Sequence, residues 1–177
     1  MAKLIIFEGP DGSGKTTLIE KMRWMSNVRL LDFPKKDPAG YRLDIKTRAE
    51  VSCFETMLKY LDDDFVYLLD RSYISNYVYE KWRDPESPLI QVYINDINRL
   101  MATNKVKIVG LTREIHRHYE DDLIKVSKPE FEKIVKYYDE IYSILGITPS
   151  VYLNYTKDSV KPNLEFENSL YDYLDFS

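Results

Sequence analysis

The segment Gly9-Pro10-Asp11-Gly12-Ser13-Gly14-Lys15-Thr16 constrains this chain more than any other. It fits the pattern G-x-x-x-x-G-K-[ST] in full, with an apolar run, Leu4–Phe7, before it and a helical pattern, Thr16–Met25, after it. Gly12 and Gly14 let the backbone turn through conformations that a side chain disfavours. Successive N–H groups can then point inward as an anion nest, and the helix starting near Lys15 adds its positive end. Lys15 supplies a mobile charge for β- and γ-phosphates, and the Thr16 hydroxyl can ligate Mg²⁺. Gly9, Asp11, Gly12, Ser13, Gly14, Lys15, Thr16 and Thr17 are therefore the expected ATP-binding set. The motif implies a nucleoside triphosphate and says nothing of the acceptor.

The rest of the chain alternates short apolar runs with helical patterns. Strands are predicted at Leu4–Phe7, Val28–Phe33, Phe65–Leu69, Val106–Leu111 and Val151–Leu153. Helices are predicted at Thr16–Met25, Ala49–Leu61, Ile74–Trp82, Leu89–Met101, Pro129–Leu145 and Asn163–Leu174. Ser87 and Pro88 suit the start of the fourth of these, and Gly146 the end of the fifth. Such alternation implies a parallel sheet covered on both faces, which binds ligands at the carboxyl ends of its strands. The expected fold class is α/β, a P-loop NTPase three-layer fold with a five-stranded parallel sheet flanked by helices. A single domain spanning 1–177 is expected, with no internal repeat or linker.

Composition narrows the function. The chain has 177 residues, 44% hydrophobic, enough for one sizeable core. No run approaches the ~20 apolar residues that span a bilayer, and no signal-peptide pattern opens the chain, so a cytoplasmic protein is expected. Cys53, the one cysteine, reads as a small buried residue, and no intrachain disulfide can form. His116 and His118 have no further His or Cys for company and read as solvated loop residues. A net charge of −4 argues against bulk affinity for nucleic acid. The local basic cluster Lys35, Lys36, Arg42, Lys46 and Arg48 reads either as solvated surface or as an anion-facing patch.

The third predicted strand ends Leu68-Leu69-Asp70-Arg71-Ser72. An Asp-Arg pair beside a phosphate loop has a clear use. Asp70 can hold Mg²⁺ or its waters, and Arg71 can grip phosphate with a planar fork of donors. The plainer reading is an ion pair at a strand end. Here the sequence resembles the thymidylate kinase family. FEGPDGSGKTT is similar to that family's phosphate loop, including the acidic Asp11. DRSYISNYVY is similar to its D-R-[aromatic]-x-x-S-N-x-A-Y stretch at Asp70, Arg71, Ser75, Asn76 and Tyr79, with Ser72 and Val78 departing. Phe33-Pro34-Lys35-Lys36 resembles its F-P-x-R, with Lys36 at the arginine. The three motifs follow the first three strands in order and run through about Glu80.

The resemblance implies specific roles. Asp11 would accept a bond from the deoxyribose 3′-OH, and Lys36 and Arg71 would hold the acceptor's 5′-phosphate. Phe33 belongs to the same substrate-binding stretch. Asn76 would contact the base edge, and Tyr79 would pack at C2′ and disfavour ribose. Phe54 would stack on the base with Arg48 beside it, against the alternative that Phe54 is a core residue of its helix. The lid departs from the family: only Thr112–Lys128 separates the fourth strand from Pro129, so a shortened lid region over 112–128 is expected. Gly12 stands where some members carry a loop arginine, leaving Arg113 and Arg117, spaced i, i+4, to serve the moving phosphoryl group or to lie in a solvated loop.

The leading expectation is Mg·ATP-dependent transfer to a deoxynucleoside monophosphate, dTMP above all, with Lys15, Asp70, Arg71, Arg113 and Arg117 as catalytic residues and Thr16 and Asp70 on the metal. A homodimer through Leu89–Met101 is compatible with the family. Three alternatives stand beside it. A deoxynucleoside kinase carries E-R-S at this strand end, one methylene from Asp70-Arg71-Ser72, and would use Asp70 as base on a 5′-OH. A kinase acting on a nucleotide within DNA would use the basic cluster. A nucleotide-binding module without catalysis would keep the loop alone.

Overall fold

The computed structural model describes residues 1–34, 48–114, 125–156 and 158–177. Its sheet has five parallel strands in the order β2-β3-β1-β4-β5. These are β1 (Lys3–Glu8), β2 (Val28–Leu30), β3 (Val66–Asp70), β4 (Lys105–Thr112) and β5 (Ser150–Val151). The helices are α1 (Lys15–Met22), α2 (Ala49–Leu58), α3 (Tyr73–Arg83), α4 (Leu89–Thr103), α5 (Lys128–Leu145) and α6 (Leu164–Ser169).

β1 is central because it is apolar on both faces. Leu4 and Ile6 join one buried cluster with α2 to α5, through Phe54, Tyr77, Ile97 and Tyr138. Ile5 and Phe7 join a second cluster with Leu18, Ile19 and Met22 of α1 and Leu170 near the C-terminus. Register carries the alternation outward: Leu4 lies opposite Tyr67 and Val106, and Ile6 opposite Leu69 and Ile108. The same pairing puts Phe7 beside Asp70 and Glu8 beside Gly110, so the carboxyl ends of β1, β3 and β4 finish together.

Helix ends follow local chemistry. Ser127 and Glu130 make a reciprocal capping box with Pro at the first turn of α5, and Gly146 closes that helix at φ 68°. Asn163 caps α6 by accepting from the Phe166 N–H at 3.1 Å.

α1 and α2 end three residues before the sequence expectation, at Met22 rather than Met25 and at Leu58 rather than Leu61, and three further elements also differ from it. The second strand stops at Leu30 rather than Phe33, since its outer positions Arg29 and Leu30 are exposed at the sheet edge. The run at Val151–Leu153 is divided: β5 ends at Val151, and the chain turns into an antiparallel hairpin of β6 (Leu153–Tyr155) and β7 (Val160–Pro162). Pro162 is compatible with that pairing because it lies at an edge. The last predicted helix is α6 followed by a 3-10 turn over Leu170–Leu174. Cys53, expected buried, is exposed on α2 because it falls between the buried positions Val51 and Phe54. Among the described residues no helix is long and apolar enough to cross a membrane.

Candidate active site

The loop between β1 and α1 turns on three positive φ angles, Gly9 at 150°, Gly12 at 72° and Gly14 at 94°. All three of these glycines are also needed for space, a Cβ on Gly9 falling 2.7 Å from the Leu111 carbonyl oxygen. A Cβ on Gly14 would lie 2.4 Å from the buried Tyr152 ring. A Cβ on Gly12 would lie 2.1 Å from Nη1 of Arg113. Lys15 is buried under the loop, its Nζ donating to the Gly9 carbonyl at 2.8 Å and the Pro10 carbonyl at 3.1 Å. Burial pushes this ammonium down to about 8, the Arg71 charge adds to the fall, and Asp70, Asp11 and Glu8 work against it.

Across the loop stands Arg71, held at a left-handed φ of 71° with its N–H on the Phe7 carbonyl at 2.9 Å. Its guanidinium pairs with the Asp11 carboxylate. Nη1 also donates to Tyr138 Oη at 2.5 Å and to the Gly9 carbonyl at 3.1 Å, and the group sits 5.6 Å from the Tyr79 ring. Below it, Glu8 is fully buried and accepts from the Ser72 N–H at 2.5 Å, Ser72 Oγ at 2.9 Å and Ser75 Oγ at 2.6 Å. Burial holds the Glu8 carboxyl above its usual range despite those donors and the nearby Arg71. Ser75 Oγ and Tyr138 Oη lie 2.8 Å apart, which joins the Glu8 and Arg71 contacts into one network. That network pins the β3–α3 turn and so the direction of Arg71.

A cleft of about 560 Å³ opens above these groups. It is lined by Asp11, Gly12, Gly14, Lys15, Thr16, Thr17, Phe33, Asp70 and Arg71, all singled out in the sequence, together with Asp32 and Leu153, which were not. Gly9 and Ser13 lie in the loop behind it. Arg113, just beyond β4, is buried at the loop, with Nη1 on the Asp11 carbonyl at 3.1 Å.

Other expected residues stand back from the cleft lining. Phe54 is fully buried, its ring 4.7 Å from Phe33 and 5.8 Å from Tyr73. Arg48 pairs with the buried Asp96 of α4. Asn76 is half-buried on α3, and Tyr79 reaches the site through Arg71. Lys36 and Arg117 lie outside the described residues, as do His116, His118, Lys35, Arg42 and Lys46.

Several contributors were missed in the sequence. Glu8 had a signal, a carboxylate at the end of an apolar strand. Asp32 had one too, next to Phe33-Pro34 at the end of β2. Tyr138 had none, and neither had Phe131, whose ring lies 5.4 Å from the Arg113 guanidinium, since helical spacing makes them look like ordinary core. Leu153 and Tyr155, whose ring lies 4.1 Å from the Arg113 guanidinium, fall where the carboxyl-end rule points, yet no motif marks them.

The fold of this chain recurs in solved structures. This chain has the fold of nucleotide and nucleoside kinases. It superposes on thymidylate kinase from Candida albicans with a TM-score of 0.61 and 17% identity, over 97% of this chain and 90% of that one. Thymidylate kinase from Ehrlichia chaffeensis gives a TM-score of 0.55 and 16% identity, over 98% and 99%. Deoxyadenosine kinase from M. mycoides gives 0.56 and 15%, over 96% and 97%. At these identities the likeness is one of fold. No protein-family model matches the sequence, and no curated protein does.

Proposed function

We propose that the protein is a deoxynucleoside monophosphate kinase that transfers the γ-phosphate of ATP to dTMP, giving ADP and dTDP. The observation that carries this reading is the pair of cations on one cleft, with Lys15 under the phosphate loop and Arg71 facing it, and Asp11 between them. One cation suits the donor, the other an acceptor that is itself an anion.

ATP would bind with its phosphates on the loop amides, and Lys15 would exchange the Gly9 and Pro10 carbonyls for phosphate oxygens. The acceptor phosphate would take the Arg71 fork in exchange for the Asp11 carboxylate, freeing Asp11 for a sugar hydroxyl. An acceptor phosphate oxygen would then attack the γ-phosphorus as the bond to the β–γ bridging oxygen breaks. With a second pKa of about 6, that phosphate needs no general base at neutral pH. Positioning and charge stabilisation do the rest. Arg113, buried at the loop, would meet the charge on the moving group, and Arg117 is the next arginine along the chain. Thr16 and Asp70 share the cleft and present the one or two oxygens that Mg²⁺ takes from protein beside water and phosphate. The metal would supply charge neutralisation there. A cytoplasmic location, and a homodimer built on α4, belong to the same reading.

One observation favours a second reading. Asp32 and Asp70 place two carboxylates in the cleft, as transfer to the 5′-OH of a deoxynucleoside would need, with Asp70 as base. Purified protein with Mg·ATP, offered dNMPs, deoxynucleosides and oligonucleotides, decides between them. Labelled dTDP is the expected product; label on nucleosides alone refutes the proposal. Asp70→Asn separates the two further, abolishing turnover of a nucleoside kinase and leaving part of it in a monophosphate kinase.

A further inference from the structure

Four consecutive carbonyls of the phosphate loop each accept a bond from a side chain. Lys15 Nζ donates to Gly9 and Pro10, Arg113 Nη1 to Asp11 at 3.1 Å, and Tyr155 Oη to Gly12 at 2.6 Å. The first two bonds come from a residue of the cleft lining, and the last two from residues outside it. A peptide unit is planar and trans, so its N–H points away from its carbonyl. With the Gly12 carbonyl turned to Tyr155, the Ser13 N–H faces back across the loop. There it donates to the Pro10 carbonyl at 3.3 Å, the same oxygen that Lys15 holds.

The hairpin that carries Tyr155 is fixed at both ends. Tyr155 pairs with Val160 and Leu153 with Pro162. At the turn the Thr156 N–H donates to the Ser159 carbonyl at 2.8 Å, and at the root the Asn163 N–H donates to the Tyr152 carbonyl at 2.7 Å. The buried Tyr152 ring packs against Gly14, and its hydroxyl donates to Glu167 at 2.7 Å. Glu167 in turn pairs with Lys21 of α1. Leu153 joins the cleft lining beside Gly14. The short segment Tyr152–Tyr155 therefore backs the loop at Gly14 and at Gly12, and it is tied to the helix that the loop begins.

We propose that Tyr155 is a positioning residue for the phosphate loop: its hydroxyl, on the Gly12 carbonyl, keeps the Gly12–Ser13 peptide turned with its N–H toward a bound polyphosphate. This rests on the nucleotide reading of the loop, in its donor half only. Gly12 has no side chain and a φ of 72°, so it is the point at which the loop's own sequence restrains the backbone least. The bond from Tyr155 falls on that point. An anion on the loop takes the Ser13 N–H in place of the long bond to Pro10, and the peptide is already turned to give it. Without the hydroxyl the peptide is free to rotate, and nucleotide affinity falls with the fraction of molecules left competent.

Calorimetric titration of Tyr155→Phe with MgADP tests this with no acceptor and no γ-phosphate. The substitution keeps the ring, 4.1 Å from the Arg113 guanidinium carbon, and removes only the donor. MgADP affinity should fall about three- to tenfold, the worth of one hydrogen bond. The KM for dTMP should hold at its wild-type value, because Arg71 is fixed from α5 and β1 instead. In the ligand-free protein the Ser13 amide should exchange with solvent faster by a similar factor, with the amides of α3 unchanged. A hydroxyl with a merely structural role would lower the melting temperature and leave MgADP affinity as it was. Unchanged MgADP affinity would therefore overturn the proposal, as would equal losses for MgADP and dTMP, the mark of a general loosening. A wild-type protein that binds MgADP and phosphorylates no acceptor would leave this proposal standing and remove the kinase reading. Phosphorylation of dTMP with unchanged MgADP affinity in Tyr155→Phe would do the reverse.

Discussion

Binding of MgATP at pH 8 should take up about half a proton per protein. Lys15 is buried beneath the loop with carbonyl partners, and its ion-pair contact with Asp11 Oδ1 is a long 4.0 Å to a carboxylate that is also paired with Arg71. Its ammonium falls from an ordinary 10.5 to about 8, chiefly through burial. That fall corresponds to about 3 kcal/mol against the charged form. The unfolded lysine holds its proton to higher pH than the folded one, so this cost is present at neutral pH and is relieved as pH rises from about 8 to 10.5. A triphosphate on the loop returns the missing negative charge and restores the affinity for the proton. At pH 8 about half of the ligand-free lysines are neutral and would protonate on binding; at pH 7 only about a tenth would. Calorimetry in buffers of different ionisation enthalpy reads the number directly as a slope. Lys15→Met should abolish the uptake. It should also stabilise the ligand-free protein at pH 7 by about 1–2 kcal/mol, once the lost hydrogen bonds to Gly9 and Pro10 are set against the relieved charge. Tight MgATP binding at pH 8 with no proton uptake would refute the account, as would a Lys15→Met protein melting below wild type at pH 7.

Other perturbations separate the parts of the site. Tyr138→Phe removes the hydroxyl that accepts from Arg71, at a cost of about 1.5–3 kcal/mol; a melting temperature lower by about 3–12 °C, a raised KM for the acceptor and an unchanged KM for ATP are expected in thermal and steady-state assays. Gly14→Ala forces a Cβ to within 2.4 Å of the fully buried Tyr152 ring; it should destabilise by about 1–3 kcal/mol and abolish MgATP binding in a titration. Gly12→Ala meets instead the far end of the flexible Arg113 side chain; at φ 72° the fold should lose about 1–2 kcal/mol, while turnover falls about 100-fold as the guanidinium is displaced by an ångström or more.

What could be read from the chain in advance depended on how local the cause was. The strand, glycine loop and helix at the N-terminus are specified by adjacent residues, and they appear where the motif places them. The Asp70-Arg71 pair was legible because a strand end has only one next residue. The β6–β7 hairpin was not, because Leu153 to Tyr155 and Val160 to Pro162 are too short to show a period. Arg113 was noticed for its charge, but its burial depends on Tyr155 and Phe131, which approach from 42 and 18 positions along the chain. Phe54 carried two readings because a helix spacing alone cannot tell a ring that faces a ligand from one that faces another ring. Its contacts with Phe33 and Tyr73 are tertiary.

Phe131 and Tyr138 sit seven residues apart on α5, one ring beside Arg113 and one hydroxyl on Arg71. Seven residues of helix are about 10 Å. The rod is a gauge whose two marks fall on the two guanidiniums, although it carries neither. Sliding or tilting α5 would shift both marks in step, so a substitution on its far side should mistune both halves of the machine together rather than one of them.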